Sequence, residues 1–90
     1  MSSPDHYRIE ITGAALRVIG HLARPQRERI RRAIDALGEN PRPAGVKKLS
    51  GRSDEYRIRV GDYRVVYTIR DDILLVLVVR VAHRREVYRG

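Results

Sequence analysis

An α+β fold is predicted, with a helical hairpin on one face of a four-stranded, mostly antiparallel sheet. Three observations predict it: an alternating apolar pattern before residue 12, helical spacing up to residue 37, and alternating segments followed by an apolar run after residue 55. The element order is therefore β-α-α-β-β-β. The 90 residues fit one domain spanning residues 1–90, with residues 1–5 as a loose N-terminal tail.

The first strand and first helix follow from apolar spacing near the start of the chain. Tyr7, Ile9 and Ile11 alternate with charged residues, as in a half-buried strand. Thr12 can cap a helix over residues 13–23. The apolar positions expected on the inner face of this helix are Ala15, Leu16, Ile19, Leu22 and Ala23.

A second helix is predicted from about Pro25 to Leu37. Proline suits a first helical turn, and Gly38 together with Pro41 stops the helix. The residues expected on its buried face are Ile30, Ala33, Ile34 and Leu37. Residues 40–54 are rich in Pro, Gly and Lys and are expected to form a loop.

Three strands are predicted after this loop. Residues 56–60 and 63–70 alternate apolar with polar positions, and Gly61-Asp62 suits a two-residue type II′ hairpin turn between them. Asp71-Asp72 is a second turn. The run from Ile73 to Val81 is nearly all β-branched or Leu, which is typical of a central strand.

Counting outward from the Gly61-Asp62 turn places three arginines on one face of the sheet. Arg59 opposes Arg64 directly, and Arg57 lies two residues from Arg59 on the same face. Like charges placed in this way are destabilising, so the pattern indicates a function rather than folding alone. Guanidinium groups match phosphate oxygens, which predicts an anion site; a solvated arginine-rich face is the alternative.

The segment after the last strand supplies further polar groups. His83 brings an imidazole, which can donate or accept a proton, Arg84 and Arg85 are cationic, and Tyr88 can donate a hydrogen bond or stack on a base. Taken singly, His83 also fits an ordinary surface histidine and Tyr88 an aromatic that caps the core. Lys47 and Lys48 are candidates for phosphate contact, with a solvated pair as the alternative.

Charge and composition restrict the class of function. Lys plus Arg number 19 against 11 Asp plus Glu, a net charge of +8, which favours an anionic partner such as nucleic acid. No cysteine is present, so no disulfide or thiolate site is expected, and the histidines show no metal-ligand spacing. The longest apolar run is too short to span a bilayer, so we expect a cytoplasmic protein without membrane attachment.

The chain resembles the RelE toxins of bacterial and archaeal toxin–antitoxin systems, within the RelE/ParE superfamily. The resemblance covers about residues 6–89. Its most specific segments are 48–51 (KLSG), 56–67 (YRIRVGDYRVVY) and 83–88 (HRREVY). It implies a ribosome-dependent endoribonuclease that cuts messenger RNA in the A site, without metal or cofactor, through attack by the RNA's own 2′-hydroxyl. It also implies a RelB-like antitoxin partner, and a heterotetramer with that antitoxin is a further expectation.

The resemblance also implies roles for individual residues. The catalytic set expected from the family's motif is Arg57, Arg59, Arg64, Arg84 and Tyr88, to which we add His83. Well-known members have lysine where this chain has Arg57 and Arg59. Arginine practically cannot lose its proton, so these two should bind phosphate, while His83 and Tyr88 would transfer protons. Lys47, Lys48 and Arg85 are expected to contact RNA or the ribosome.

Two other functions share these features. A ParE-like inhibitor of DNA gyrase would have the same fold without a phosphate site. A nucleic-acid or protein-binding module would show salt-dependent binding without cleavage products.

Overall fold

The computed structural model describes residues 6–48 and 55–83, which form two helices and a five-stranded mixed sheet. The elements are β1 (Arg8–Ile11), α1 (Gly13–Gly20), α2 (Arg24–Leu37), β2 (Lys47–Lys48), β3 (Glu55–Val60), β4 (Tyr63–Arg70) and β5 (Leu75–His83). The strand order is β1-β5-β4-β3-β2, and only the β1–β5 pair is parallel. The predicted α+β class is confirmed.

The predicted number of strands was one too low. Lys47 and Lys48, placed in a loop by the sequence, form a two-residue strand that pairs with Arg57 and Tyr56 of β3. Two residues are too few to show a periodic pattern in the sequence. This strand forms by pairing with the edge of β3.

Helix α1 begins as predicted and ends three residues early. The Thr12 hydroxyl accepts a hydrogen bond from the Ala15 amide at 3.2 Å and donates one to the Val79 carbonyl at 3.2 Å. Ala15 and Ile19 are buried, but Leu16, which was expected on the inner face, is 53% exposed. Leu16 lies 100° around the helix from Ala15, beyond the narrow stripe that this two-turn helix presents to the core.

Helix α2 confirms its predicted buried face. Ile30, Ile34 and Leu37 are each at most 2% exposed and recur at the i, i+4, i+7 spacing of one helix face. Pro25 lies in the first turn, and Gly38 ends the helix. Neither helix among the described residues is long and apolar enough to cross a membrane.

The hairpin between β3 and β4 has the predicted register. Val60 pairs with Tyr63, Arg59 with Arg64 and Ile58 with Val65. Gly61 has φ 61°, and Leu74 is the only non-glycine with positive φ among the described residues, so Asp62 has negative φ as a type II′ turn requires.

Strand β5 is shifted relative to the prediction. The turn after β4 occupies four residues, 71–74, so β5 begins at Leu75 and leaves Ile73 outside it, 52% exposed. A β-bulge at Val79 then interrupts the pairing, since Tyr67 pairs with Val78 and Val66 with Arg80. Because the extra residue reverses the alternation, Val78 and Val81 both face the core.

Candidate phosphate-binding site

The arginines predicted to share a face do so. Arg57 and Arg59 alternate on β3, and Arg64 lies directly opposite Arg59 on β4. This face is opposite to the one that carries Ile58, Val65 and Tyr67 and packs against the helices. We call it the arginine face.

Two more cations lie on the arginine face. Lys47 pairs with Arg57 across β2–β3, and Arg80 pairs with Val66 across β4–β5. The arginine face therefore carries five cations on four adjacent strands. Arg80 was not among the predicted site residues, because it is the one charged residue of an apolar strand and its side of the sheet depends on the bulge at Val79.

The lysine pair is divided between the two faces of the sheet. Lys47 takes the arginine face, whereas Lys48 pairs with Tyr56 and its Nζ lies 6.0 Å from the centre of the Tyr56 ring. Of the two predicted contacts to RNA, only Lys47 adjoins the arginines.

Exposure differs among the arginines. Arg59 is exposed and Arg57 is half-buried, whereas Arg64 is only 7% exposed. The face is thus less open at Arg64, which lies on β4, the central strand of the five. A cation held in this way is preorganised, which strengthens its effect on an anion that reaches it.

Little negative charge offsets these cations. Lys47, Arg57, Arg59 and Arg80 form no ion pair with a carboxylate in the described part of the chain. The Nε of Arg59 instead donates to the carbonyl oxygen of Gly61 at 3.3 Å, which directs this guanidinium toward the hairpin turn. These four cations can therefore bind an anion without first releasing a carboxylate of the described part of the chain.

His83 lies on the other face of the sheet. It pairs with Tyr63 at the end of β5, and the two rings meet edge to face with centroids 5.4 Å apart and planes at 84°. Tyr63 shares the helix-side face with Val65, so the register places His83, a predicted catalytic residue, on the side opposite to the arginine face. Arg84, Arg85 and Tyr88 lie outside the described residues.

A second polar cluster lies at the far end of the sheet. Arg42 donates to both carboxylate oxygens of Asp71, at 3.2 and 2.9 Å, and to the Tyr56 hydroxyl at 3.3 Å. The Tyr7 hydroxyl donates to Asp71 at 2.5 Å. Hydrogen bonds from Arg42 and Tyr7 hold the pKa of Asp71 below its usual value, and the same contact with Asp71 raises the pKa of Tyr7. The predicted turn at Asp71 is confirmed, and its carboxylate also joins three segments of the fold.

Tyr56 and Tyr67 occupy positions that a structural role explains. Tyr67 is fully buried, and its hydroxyl donates to the Pro41 carbonyl at 2.7 Å. Burial raises its pKa to about 12. The Tyr56 ring stacks on Tyr67 with centroids 6.0 Å apart.

Comparison with known proteins gives a consistent assignment. Residues 9–88 match the family described as ParE toxin of type II toxin-antitoxin system, parDE. The chain is 31% identical over 71 residues to toxin RelE3 of Methanocaldococcus jannaschii, covering 79% of this chain and 78% of that toxin.

Solved structures show the same fold over most of the chain. The RelE–RelB complex from Pyrococcus horikoshii matches with TM-score 0.79 and 28% identity, covering 88% of this chain and 96% of the matched one. The intact E. coli RelBE complex matches with TM-score 0.75 and 30% identity, covering 86% and 95%. These matches show that the chain belongs to the RelE toxin family of type II toxin–antitoxin systems.

Proposed function

We propose that this toxin is a ribosome-dependent endoribonuclease that cuts messenger RNA in the A site. The observation that carries the proposal is the Arg59–Arg64 pair, in which two arginines occupy directly opposite positions on one face of β3–β4. Such a pair opposes folding and is favourable once an anion lies between the two groups. A phosphodiester is an anion whose oxygens can accept hydrogen bonds from both guanidinium groups.

The chemistry is transesterification within the RNA. The 2′-oxygen forms a bond to the adjacent phosphorus as the bond from phosphorus to the 5′-oxygen breaks, giving a 2′,3′-cyclic phosphate and a 5′-hydroxyl. The 2′-hydroxyl proton goes to a base, and the leaving 5′-oxygen takes a proton from an acid. Arg57, Arg59 and Arg64 stabilise the negative charge that develops on the phosphoryl oxygens.

Proton transfer requires groups other than arginine, whose pKa is too high for the task. We assign the acid role to His83 and a base or base-stacking role to Tyr88, with Arg84 as a further phosphate ligand. Because His83 lies on the helix side of β5, its imidazole can reach the leaving oxygen only where the RNA passes the end of the sheet.

The ribosome and an antitoxin complete the proposed function. Holding the RNA in a reactive geometry lowers the barrier without further catalytic groups, and the ribosome would provide that orientation. Lys47, Lys48 and Arg85 would contact RNA or ribosome. The relatives from P. horikoshii and E. coli are complexes with RelB, so we propose a RelB-like antitoxin for this chain, acting in the cytoplasm and binding as a heterotetramer.

End-labelled messenger RNA on programmed ribosomes tests the proposal. We expect cuts confined to the A-site codon, absent from naked RNA, and lost in Arg59→Gln. The matched control is Arg31→Gln, which removes the same charge from an exposed position on α2. No cutting by folded wild-type protein would contradict the proposal.

A ParE-like inhibitor of DNA gyrase is the second candidate, because the family that matches residues 9–88 is described as ParE toxin. Inhibition of gyrase supercoiling by the wild-type protein, with RNA left intact on the ribosome, would favour it. The arginine face weighs against it, since inhibition by protein contact does not need a paired guanidinium site.

A further inference from the structure

Two guanidiniums from opposite faces of the sheet meet at Gly61. On the arginine face, Arg59 donates to the Gly61 carbonyl at 3.3 Å. On the helix side, the Arg29 guanidinium of α2 lies 3.4–3.7 Å from the place where a Cβ on Gly61 would be. A Cβ on Gly61 would be in ordinary van der Waals contact with this guanidinium, so it is the positive φ of 61° that favours glycine here. Arg29 and Arg59 both lie close to this one residue.

The Arg29 side belongs to a cleft of about 320 Å³ beside the hairpin turn. The lining residues that can bind a ligand through polar groups are Gln26, Arg29, Asp62, Tyr63 and His83. Arg29 forms no ion pair with a carboxylate among residues 6–48 and 55–83. The cleft therefore offers a guanidinium, an imidazole and an amide to a ligand that enters it.

We propose that the β3–β4 turn is a crossing point, where the substrate RNA backbone passes from the arginine face into the cleft and places a second phosphodiester against Arg29. This inference rests on the proposed function and deepens it. Arg59 contacts the carbonyl oxygen of Gly61, and the Arg29 guanidinium lies beside the Cα of the same residue. The two contacts are therefore separated by a single residue of the turn. Adjacent phosphates of one strand can thus be bound from both sides of the turn.

The crossing explains how RNA bound by the arginine face can also reach His83. Its ring lines the cleft, on the side of the sheet opposite to Arg57, Arg59 and Arg64. An RNA strand that remained on the arginine face would not meet this imidazole. A strand that crosses at Gly61 brings the leaving 5′-oxygen, which lies between the reacting phosphate and the linkage at Arg29, toward it.

The carboxylate in the lining of the cleft allows a second test, with the opposite expected effect on binding. Asp62 is the one carboxylate among the residues that form the cleft, and it repels a phosphate bound there. Removal of Arg29 should weaken binding at the crossing, and removal of the Asp62 charge should strengthen it.

Binding of a single-stranded RNA with a 2′-deoxy substitution at the cleavage position tests the crossing without cleavage. We expect Arg29→Gln to weaken binding about tenfold at low salt and to reduce the slope of log K against log salt by about 0.7, the loss of one phosphate contact. Asp62→Asn should bind more tightly than wild type. Arg31→Gln, on the same helix but away from the cleft, should match wild type in slope.

A scan with single neutral methylphosphonate linkages locates the contact. One linkage next to the cleavage position should weaken wild-type binding and leave Arg29→Gln unaffected. Equal responses of both proteins at every linkage, or an unchanged salt slope in Arg29→Gln, would overturn the crossing. An Arg29 effect that appears only with ribosomes would also overturn it, in favour of contact with ribosomal RNA. Cleavage assays run in parallel keep the two proposals apart, because the crossing can fail while A-site cleavage persists.

Discussion

The guanidinium of Arg42 binds the carboxylate of Asp71 through two hydrogen bonds, at 3.2 and 2.9 Å. This contact joins the loop after α2 to the β4–β5 turn, 29 residues further along the chain. Tyr7, just before β1, donates to the same carboxylate. One exposed carboxylate therefore connects three segments at the end of the sheet far from the hairpin turn.

Asp71 should make stability depend on acid pH. Its pKa is lowered in the folded protein, chiefly by Arg42, so its contribution is present above the ordinary value of 3.8 and is lost as pH falls through the folded pKa. We expect Asp71→Asn to be less stable than wild type at pH 7 and to approach wild type below pH 3.8. Urea unfolding at both pH values measures this. Asp35→Asn, an exposed change on α2, is the control, and a constant difference between Asp71→Asn and wild type would contradict the assignment.

Removal of the Tyr67 hydroxyl should destabilise the core. Tyr67→Phe loses a buried hydrogen bond to Pro41, and we expect a cost of about 1–3 kcal/mol in the free energy of unfolding at neutral pH. Denaturant unfolding gives the value. Tyr56→Phe, which keeps the ring that stacks on Tyr67, serves as the control because its hydroxyl is paired at the surface.

Tyr67 should also limit stability in alkali. Its pKa is raised to about 12 by burial, so its contribution is complete below its ordinary value of 10 and is lost as pH rises through 12. We expect ultraviolet titration to show a late phenolate that is missing in Tyr67→Phe. If all tyrosines of the wild type ionised together near pH 10, the burial argument would be wrong.

The Arg59–Arg64 pair should lower the stability of the fold while it supports cleavage. Arg59→Thr removes one of two like charges at directly opposite positions, and we expect it to raise the free energy of unfolding by ~0.2–1 kcal/mol while cleavage is lost. Arg80→Thr is the matched control, because Arg80 faces Val66 and has no like charge directly opposite. A stability gain of the same size in both variants would show that β-propensity, not repulsion, is the cause.

His83 is assigned the acid role, and its kinetics can distinguish that role from binding alone. Loss of a general acid should lower kcat by ~10²–10⁴ and remove the alkaline limb of the pH profile. We therefore expect His83→Gln to show both effects in single-turnover cleavage on ribosomes. A raised KM with unchanged kcat would instead make His83 a binding residue of the cleft.

The hairpin and its arginines were predictable because turn chemistry and strand alternation are local. Gly61-Asp62 determines the register, and the register places Arg59 opposite Arg64. The sides taken by Arg80 and His83 were not predictable, since they depend on the bulge at Val79. One extra residue reverses every later side chain, and no local pattern signals it.

The cleft beside the β3–β4 turn could not be predicted from the sequence. Arg29 is one of several arginines on α2, and nothing in its spacing distinguishes it from Arg31 or Arg32. Its significance comes from the packing of α2 beside the β3–β4 turn, a contact between segments about thirty residues apart. Long-range placement of this kind appears only in the folded chain.

The position of β5 between β1 and β4 has a consequence for synthesis of the protein. The first strand to leave the ribosome can pair only with the last, so β1 waits for residues 75–83 before it joins the sheet. The same late segment carries Arg80 and His83. A nascent chain therefore cannot assemble this surface until residues 75–83 have left the ribosome that makes the toxin.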